Sequence, residues 1–293
     1  MRTFKPRNYV LSEPSETSET FEEAHTFASV TDEWMKQRKL TQDALWEHSN
    51  LTDASRLGYL YGPRNRWTED QVTEMWKKAA EASDRRRDAI NHLYIHVPFC
   101  KSICNFCNYE RLKPSNKDLI ETYVERVLRS LHSFGEVVQP MRWHTMYFGG
   151  GTPSTLTSSQ LKRLLVALDE TLKWHPRSTR FFEFDPAAMS PKRMEVLVEH
   201  NFEHFSFGIQ TTTADTNADH NRGAQGMEIV ERRFKELRSF GVHNISADML
   251  LGLKGTTPEQ MVEEIGDVLA LKPRWLDLFY LTLTREYVAS HWN

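Results

Sequence analysis

Between residues 91 and 293, six short runs of β-forming residues alternate with amphipathic segments that carry helix-start signals. Thr157 and Gln160 form a capping box ahead of a leucine stripe, and Ser190 is a capping residue before Pro191. This alternation predicts an α/β fold with a parallel sheet and right-handed crossovers. Six units are too few for the eight-stranded closed barrel, which leaves a partial six-stranded barrel or an open doubly wound sheet. The predicted strands cover 93–97, 145–150, 180–185, 204–210, 244–252 and 275–282.

The first 90 residues follow a different pattern. Residues 1–30 are rich in Ser, Thr and Glu and contain few large aliphatic side chains, which predicts a disordered tail. Residues 31–90 are predicted to form a helical N-terminal extension. Its clearest helix begins at Thr68, which makes a capping box with Gln71, and runs to about Arg87.

Composition excludes several classes of function. No run of eighteen apolar residues occurs, so no transmembrane span and no membrane partner are expected. The N-terminal sequence lacks the apolar stretch of a secretory signal, and a cytoplasmic location is expected. The net charge of -3 and a pI near 6.5 give no electrostatic reason to expect a nucleic-acid partner.

All three cysteines of the chain, Cys100, Cys104 and Cys107, lie within eight residues in the spacing C-x3-C-x2-C. An odd and tightly clustered set is not a disulfide framework, and in a cytoplasmic chain it indicates metal or redox chemistry. The motif directly follows the first predicted strand. Three thiolates this close can hold one iron–sulfur cluster and leave one iron without a protein ligand, open to a substrate or cofactor.

Two other interpretations of the cysteines stay open at this point. A structural zinc ion needs a fourth ligand, for which His96 is the nearest candidate. However, His96 lies in the predicted strand two residues before Pro98, where its side chain should point away from the loop, and no second pair of ligands follows. Inert buried thiols are the third interpretation. Spacing and position favour the cluster.

The C-x3-C-x2-C motif, with Phe106 directly before its last cysteine, resembles the signature of the radical S-adenosylmethionine (SAM) superfamily. Five motifs in order over roughly 90–285 resemble, more narrowly, the oxygen-independent coproporphyrinogen dehydrogenase family, which also includes a heme chaperone and SAM-dependent radical methylases. The motifs are LYIHVPFC (93–100), FGGGTPS (148–154), FEFDP (182–186), SFGIQ (206–210) and NISADMLLGL (244–253).

This resemblance implies the partial six-stranded (β/α)6 barrel over 91–293 and two cofactors, a [4Fe-4S] cluster and SAM. It also implies that the reduced cluster cleaves SAM to a 5′-deoxyadenosyl radical, for chemistry on a tetrapyrrole or another small molecule, methylation included. A low-potential electron donor such as flavodoxin or ferredoxin is the implied protein partner. The alternative is a non-catalytic, cluster-bearing protein that binds and transfers heme.

Several other positions stand out physically. The glycine run 149–151 is either a flexible turn or, because it ends a strand, bare backbone that a ligand can approach closely. Glu183 and Asp248 lie among apolar neighbours, where a carboxylate needs a hydrogen-bonding partner. Gln210 ends the fourth predicted strand.

The resemblance gives these positions roles around SAM. The glycine backbone accepts its amino group, and Gln210 lies at its methionine end. Glu183 and Asp248 hold its ribose, Arg222 pairs with its carboxylate, and Tyr94 lies near the cluster and cofactor. The implied cofactor-binding set is Tyr94, Phe106, Gly149, Gly150, Gly151, Glu183, Gln210, Arg222 and Asp248, with Cys100, Cys104 and Cys107 as the catalytic metal ligands.

The chain also departs from this family. Tyr109 occupies the position of a further cysteine of the dehydrogenases, which argues against porphyrinogen decarboxylation. The segment 220–224 reads HNRGA and lacks the second histidine of the chaperones' heme motif. Only eleven residues follow the sixth predicted strand, so the C-terminal substrate domain of the family is expected to be absent or truncated.

Overall fold

The computed structural model describes residues 68–86, 88–223 and 225–291. The predicted tail at 1–30 and the helices predicted across 31–67 lie outside the described residues. The strands are β1 (Asn91–Val97), β2 (Arg142–Gly150), β3 (Lys173–Phe184), β4 (His204–Gln210), β5 (Asn244–Leu251) and β6 (Trp275–Tyr280). The helices are α1 (Glu69–Arg85), α2 (Lys117–Val138), α3 (Ser158–Thr171), α4 (Pro191–Glu199), α5 (Ala214–Asp219), α6 (Met227–Ser239), α7 (Pro258–Ala270) and α8 (Arg285–His291), with a 3-10 turn at Pro153–Thr155.

The six strands form one parallel sheet in which each strand pairs with the next along the chain. A doubly wound sheet would reverse its strand order at a switch point, and this sheet does not. Within the described residues β1 and β6 are not paired with each other, so the sheet stays unclosed. The predicted α/β class and partial barrel are therefore confirmed.

The core lies between the sheet and a single layer of helices. Alternate strand residues such as Val97, Phe148 and Phe207 are buried in the same cluster as helix residues such as Leu164 and Phe234. Burial of each such side chain contributes roughly 1.5–3 kcal/mol. Because this layer covers one face of the sheet, the other face is left to polar and aromatic side chains, which form the inner surface of the partial barrel.

Helix starts follow the sequence with one exception. Thr68 with Gln71 and Thr157 with Gln160 form the predicted capping boxes. Ser190 is the N-cap of α4, but its side chain makes no capping hydrogen bond and instead accepts one from Arg193 Nη1 at 3.1 Å. Within the described part of the chain, no helix is both long and apolar enough to cross a membrane.

Candidate cofactor site

The cysteine loop leaves the carboxyl end of β1 and is closed at its base. Phe99 and Leu112 form a parallel bridge, in which the Cys100 amide donates to the Leu112 carbonyl at 3.0 Å. Inside the loop, the Cys107 amide donates to the Cys104 carbonyl at 3.2 Å. The three thiols are all partly exposed and free of disulfides. The loop therefore presents its sulfur atoms at the rim of the barrel.

A second clamp reaches this loop from the segment that follows α5. The amide of Asn105 donates to the carbonyl of His220 at 3.2 Å. The side-chain amide of Asn221 donates to the carbonyl of Ile103 at 2.7 Å. The cysteine loop is thus fixed against the far side of the barrel as well as against its own strand.

The thiols of Cys100 and Cys104 are partly desolvated, which raises their pKa values, and neighbouring groups oppose this shift. Burial raises the pKa of the Cys104 thiol, and Arg222, whose Nη1 lies 3.8 Å from Cys104 Sγ, acts to lower it. Burial also raises the pKa of Cys100, and a hydrogen bond from Thr152 Oγ1 at 3.5 Å opposes that shift. Because metals bind the thiolate, the arginine and the threonine favour the form that a cluster needs.

The glycine run packs directly against the cysteine loop, as the sequence predicts. The Gly151 amide donates to the Val97 carbonyl at 2.8 Å. A Cβ atom on Gly151 would lie 2.9 Å from the Phe99 carbonyl oxygen and 3.0 Å from Cys100 Sγ. Gly150 has a φ of 113°, in the region that favours glycine. Bare backbone is required here for close approach of the two loops.

Glu183 already has partners within the chain. The Tyr147 hydroxyl donates to Glu183 Oε1, and the Gly150 amide donates to Oε2 at 3.3 Å. Burial, together with Glu183, raises the pKa of the Tyr147 phenol. The sequence analysis missed Tyr147, although it lies two residues before Gly149 and therefore on the same face of β2. Each carboxylate oxygen can accept more than one hydrogen bond, so Glu183 retains capacity for a ligand.

Asp248 lies on β5, two strands further along the inner face. Ser206 Oγ donates to Asp248 Oδ2 at 2.5 Å. Burial raises the pKa of Asp248 to about 6; Ser206 opposes the shift, and the nearby carboxylates of Asp277 and Glu183 add to it. Sequence reasoning did not single out Ser206 or Asp277, which become visible once strand register is known.

Gln210 and Arg222 meet at the end of β4. Gln210 has a φ of 70° and follows an irregularity in the pairing of β4 with β5. The Arg222 guanidinium donates to the Gly208 carbonyl. The Gln225 side-chain amide satisfies both of its polar atoms when its nitrogen faces Asp185. In that orientation its oxygen accepts a hydrogen bond from Arg222 Nε at 3.1 Å. The structure therefore holds Arg222 between the end of β4 and the cysteine loop.

The other predicted positions are less central. Tyr94 is more than half exposed, and its hydroxyl lies 3.1 Å from His96 Nδ1. His96 Nε2 lies 3.1 Å from the Glu110 carbonyl oxygen, so both nitrogens of its ring are engaged. Among the described residues, no three His, Cys, Asp or Glu side chains are arranged around one metal ion. His96, the fourth ligand that the zinc alternative requires, is therefore already engaged within the chain.

His220, the first residue of the segment 220–224 that partly resembles the chaperones' heme motif, is fully buried. Its Nδ1 lies 2.7 Å from the Thr216 carbonyl oxygen and its Nε2 lies 2.9 Å from the Tyr287 hydroxyl. Phe106 packs beside it, with ring centroids 6.1 Å apart, and His291 stacks on it at 4.6 Å. A ring with both nitrogens engaged inside the fold cannot ligate heme iron, so His220 is a structural residue.

The inner face of the sheet contains a cavity of about 190 Å³ next to these residues. Its lining combines carboxylates with aromatic rings, and it is bounded by Tyr147, Phe181, Phe182, Glu183, His204, Phe205, Ser206, Asn244, Ser246, Asp248, Trp275, Asp277 and Phe279. The cavity shares Glu183 and Asp248 with the candidate cofactor residues, and Glu183 connects it to the glycine run through the Gly150 amide.

Comparisons with known proteins agree with this geometry. Residues 94–268 match the model of the radical SAM superfamily. The chain is 30% identical over 193 residues to the heme chaperone HemW of Lactococcus lactis, a match that covers 66% of this chain and 49% of the relative. It is 26% identical over 188 residues to the oxygen-independent coproporphyrinogen III oxidase of Paracoccus denitrificans, covering 64% and 42%.

Solved structures show the same fold. The radical SAM coproporphyrinogen III oxidase HemN of Escherichia coli superposes with a TM-score of 0.69 at 22% identity, over 78% of this chain and 52% of that one. The chain therefore spans about half the length of the curated relatives that it matches.

Proposed function

Because this chain belongs to the radical SAM superfamily, whose cofactors are a [4Fe-4S] cluster and SAM, we propose that Cys100, Cys104 and Cys107 hold the cluster of an enzyme that cleaves SAM reductively. The observation that carries the proposal is the close packing of the glycine run on the cysteine loop at Gly151. When bound, the reduced cluster supplies the electron that splits SAM into methionine and a 5′-deoxyadenosyl radical.

The residues present fit these cofactors. Three thiols share one loop, and Arg222 lies against Cys104 without adding a fourth protein ligand. The backbone carbonyls at 149–151 can accept a substrate amine. Arg222, which lies against Cys104, can pair with a substrate carboxylate.

We assign the ribose to Glu183 and Asp248. Both carboxylates lie on the inner face, on strands separated by one other strand, and each has lone pairs left after its bonds to the chain. Gln210 belongs to the methionine end because it lies beside Arg222 at Gly208. Tyr94 and Phe106 shape the periphery of this site: Tyr94 lies next to Tyr147, and Phe106 packs on His220.

The substrate class follows from the relatives by name, which concern heme and coproporphyrinogen. A tetrapyrrole or another small molecule is the proposed substrate, with methylation among the possible outcomes. A low-potential donor such as flavodoxin or ferredoxin would deliver the electron in the cytoplasm, where thiols stay reduced.

A second candidate function is heme binding and transfer without catalysis. The similarity to heme chaperones favours it. His220 cannot supply the ligand, because both of its ring nitrogens are bonded within the fold. This function would therefore require another ligand.

Anaerobic reconstitution tests the proposal. We expect about four irons and four sulfides per chain, a reduced spin-resonance spectrum that changes on addition of SAM, and 5′-deoxyadenosine formation with dithionite. Cys104→Ala should lose the cluster. A chain without iron, or a spectrum indifferent to SAM, would contradict the enzyme; a cluster and bound heme without deoxyadenosine would favour the second candidate.

A further inference from the structure

The inner face of β6 extends the site beyond every residue assigned to SAM. Trp275, Asp277 and Phe279 alternate along this strand, and Asp277 lies level with Asp248 on β5. All three line the cavity. Trp275 is 47% exposed and Phe279 53% exposed, so large apolar surface borders a carboxylate next to the proposed ribose site.

An aromatic row forms the floor of this region. The rings of Phe181 and His204 stack with centroids 4.3 Å apart, and the His204 and Trp275 centroids lie 5.9 Å apart. Burial lowers the pKa of His204, so this imidazole brings no positive charge to the row near neutral pH. The row offers flat, uncharged surface to a planar ligand.

The charged side chains that line the cavity are acidic. Three carboxylates line it, those of Glu183, Asp248 and Asp277, and no lysine or arginine does. Among the described residues no hydrogen bond or ion pair engages Asp277, whereas Glu183 and Asp248 are bonded by Tyr147 and Ser206. Asp277 is therefore an exposed carboxylate with no partner among the described residues, outside the pair assigned to the ribose.

We propose that Asp277, Trp275 and Phe279 form the substrate subsite and select a planar substrate that carries a positively charged nitrogen. The ring would lie against the two aromatic side chains, and the charged nitrogen would pair with Asp277. This subsite rests on the proposed function, which places the ribose of SAM at Glu183 and Asp248, beside Asp277. A tetrapyrrole that presents carboxylates would instead meet carboxylates of like charge.

A pair of probes with one ring and opposite charges tests the subsite. Calorimetric titration of the chain near neutral pH would compare tryptamine with indole-3-propionate. We expect tryptamine to bind about tenfold more tightly or better, because its ammonium pairs with Asp277. Asp277→Asn should reduce the preference, because Glu183 and Asp248 remain in the cavity. Asp277→Lys should reduce it further, and Trp275→Ala should weaken the binding of both probes.

Asp267→Asn, an exposed acid on α7, is the matched control and should keep the preference. Equal affinity for the two probes, no binding of either, or an unchanged preference in both Asp277 variants would overturn the subsite; circular dichroism establishes that the variants fold. The titration needs neither cluster nor SAM. Failure of the proposed function would therefore show separately, as missing iron or missing 5′-deoxyadenosine.

Discussion

Arg222 contacts both the end of β4 and the cysteine loop. Its guanidinium donates to the Gly208 carbonyl at the end of β4 and approaches Cys104 Sγ at 3.8 Å. An arginine in a loop is usually solvated, and the sequence assigned this one only through family resemblance. The structure gives a physical reason for its position, because a delocalised guanidinium can pair with a cysteine thiolate and with a ligand carboxylate at the same time.

We predict that Arg222→Gln makes the Cys104 thiol harder to ionise. Burial already raises the pKa of this thiol, and removal of the positive charge takes away the influence that opposes the shift. Alkylation of Cys104 by iodoacetamide at mildly alkaline pH, followed by peptide mass mapping, should be several-fold slower in the variant.

Arg232→Gln, at an exposed position of α6, is the control, and Cys104 in this variant should be alkylated at the rate of the parent. Equal rates in Arg222→Gln and the parent would show that the arginine does not act on this sulfur.

Asp248 gives a prediction about pH. Its pKa in the folded chain is about 6, above the ordinary value of 3.8, so the folded state binds this proton more tightly than the unfolded state. Stability is therefore lost as the pH rises from about 4 through about 6. We predict that Asp248→Asn melts at a higher temperature than the parent near neutral pH, and that the difference disappears below about pH 4.

The same substitution should weaken SAM binding roughly tenfold or more, because a charge-assisted hydrogen bond is lost. Melting curves across this pH range and SAM titration measure both effects, with Asp267→Asn as the control. A variant that is less stable at neutral pH would contradict the assigned cost of burial.

Sequence alone located the chemical groups of the site but not their partners. Glu183 and Asp248 stood out as carboxylates among apolar residues. Tyr147, Ser206 and Asp277 did not, because what singles them out is the residue across the sheet. That neighbour depends on register between strands, and a single strand's pattern of side chains does not contain it.

At the scale of elements, alternation predicted each of the six described strands and their parallel pairing, and the family resemblance supplied the order of a partial barrel. The prediction for β4 at 204–210 matches to the residue. β3 begins at Lys173 rather than at residue 180. The prediction missed the first part of this strand because it contains Pro176, and proline is unusual inside strands. The structure accommodates that proline where the pairing register with β2 shifts between Trp143 and Thr145.

Helix α7 supports the rim through one buried carboxylate. Glu264, 6% exposed, accepts hydrogen bonds from Thr211 Oγ1 at 2.7 Å and from Thr213 Oγ1 at 2.5 Å, directly after Gln210. We predict that Glu264→Gln lowers the free energy of unfolding by about 1–3 kcal/mol, because it removes charge-assisted bonds in a buried place. Urea denaturation measures this loss. The exposed neighbour Glu263 is the matched control, and equal losses in Glu264→Gln and Glu263→Gln would argue against the bracing role.

At the scale of the whole molecule, β6 is an exposed edge of the sheet that the described residues form. Phe279 is 53% exposed on its inner face and Tyr280 is 84% exposed on the other. The matched segment covers about half of each relative's length, so the other half of each relative has no counterpart in this comparison. Within the described residues, the inner face at β6 is exposed to water.

We predict that this chain cleaves SAM without efficient conversion of a tetrapyrrole. An open site weakens the electrostatic control that a closed one provides, so cleavage should be slow and uncoupled. Incubation with SAM, dithionite and candidate tetrapyrroles should give 5′-deoxyadenosine in excess over substrate loss. Rapid conversion with matched yields would instead indicate that the predicted helices at 31–90 close the site.

The second clamp on the cysteine loop also sets an order of assembly. Asn221 bonds the Ile103 carbonyl across 118 residues of sequence, whereas the bridge between Phe99 and Leu112 is local. Local contacts form early, and distant ones wait until the intervening chain has been organised. The cysteines therefore take their final arrangement only after β4 and α5 are in place. We therefore expect cluster insertion to follow the formation of β4 and α5, so that iron loading would report a barrel built past its fourth strand.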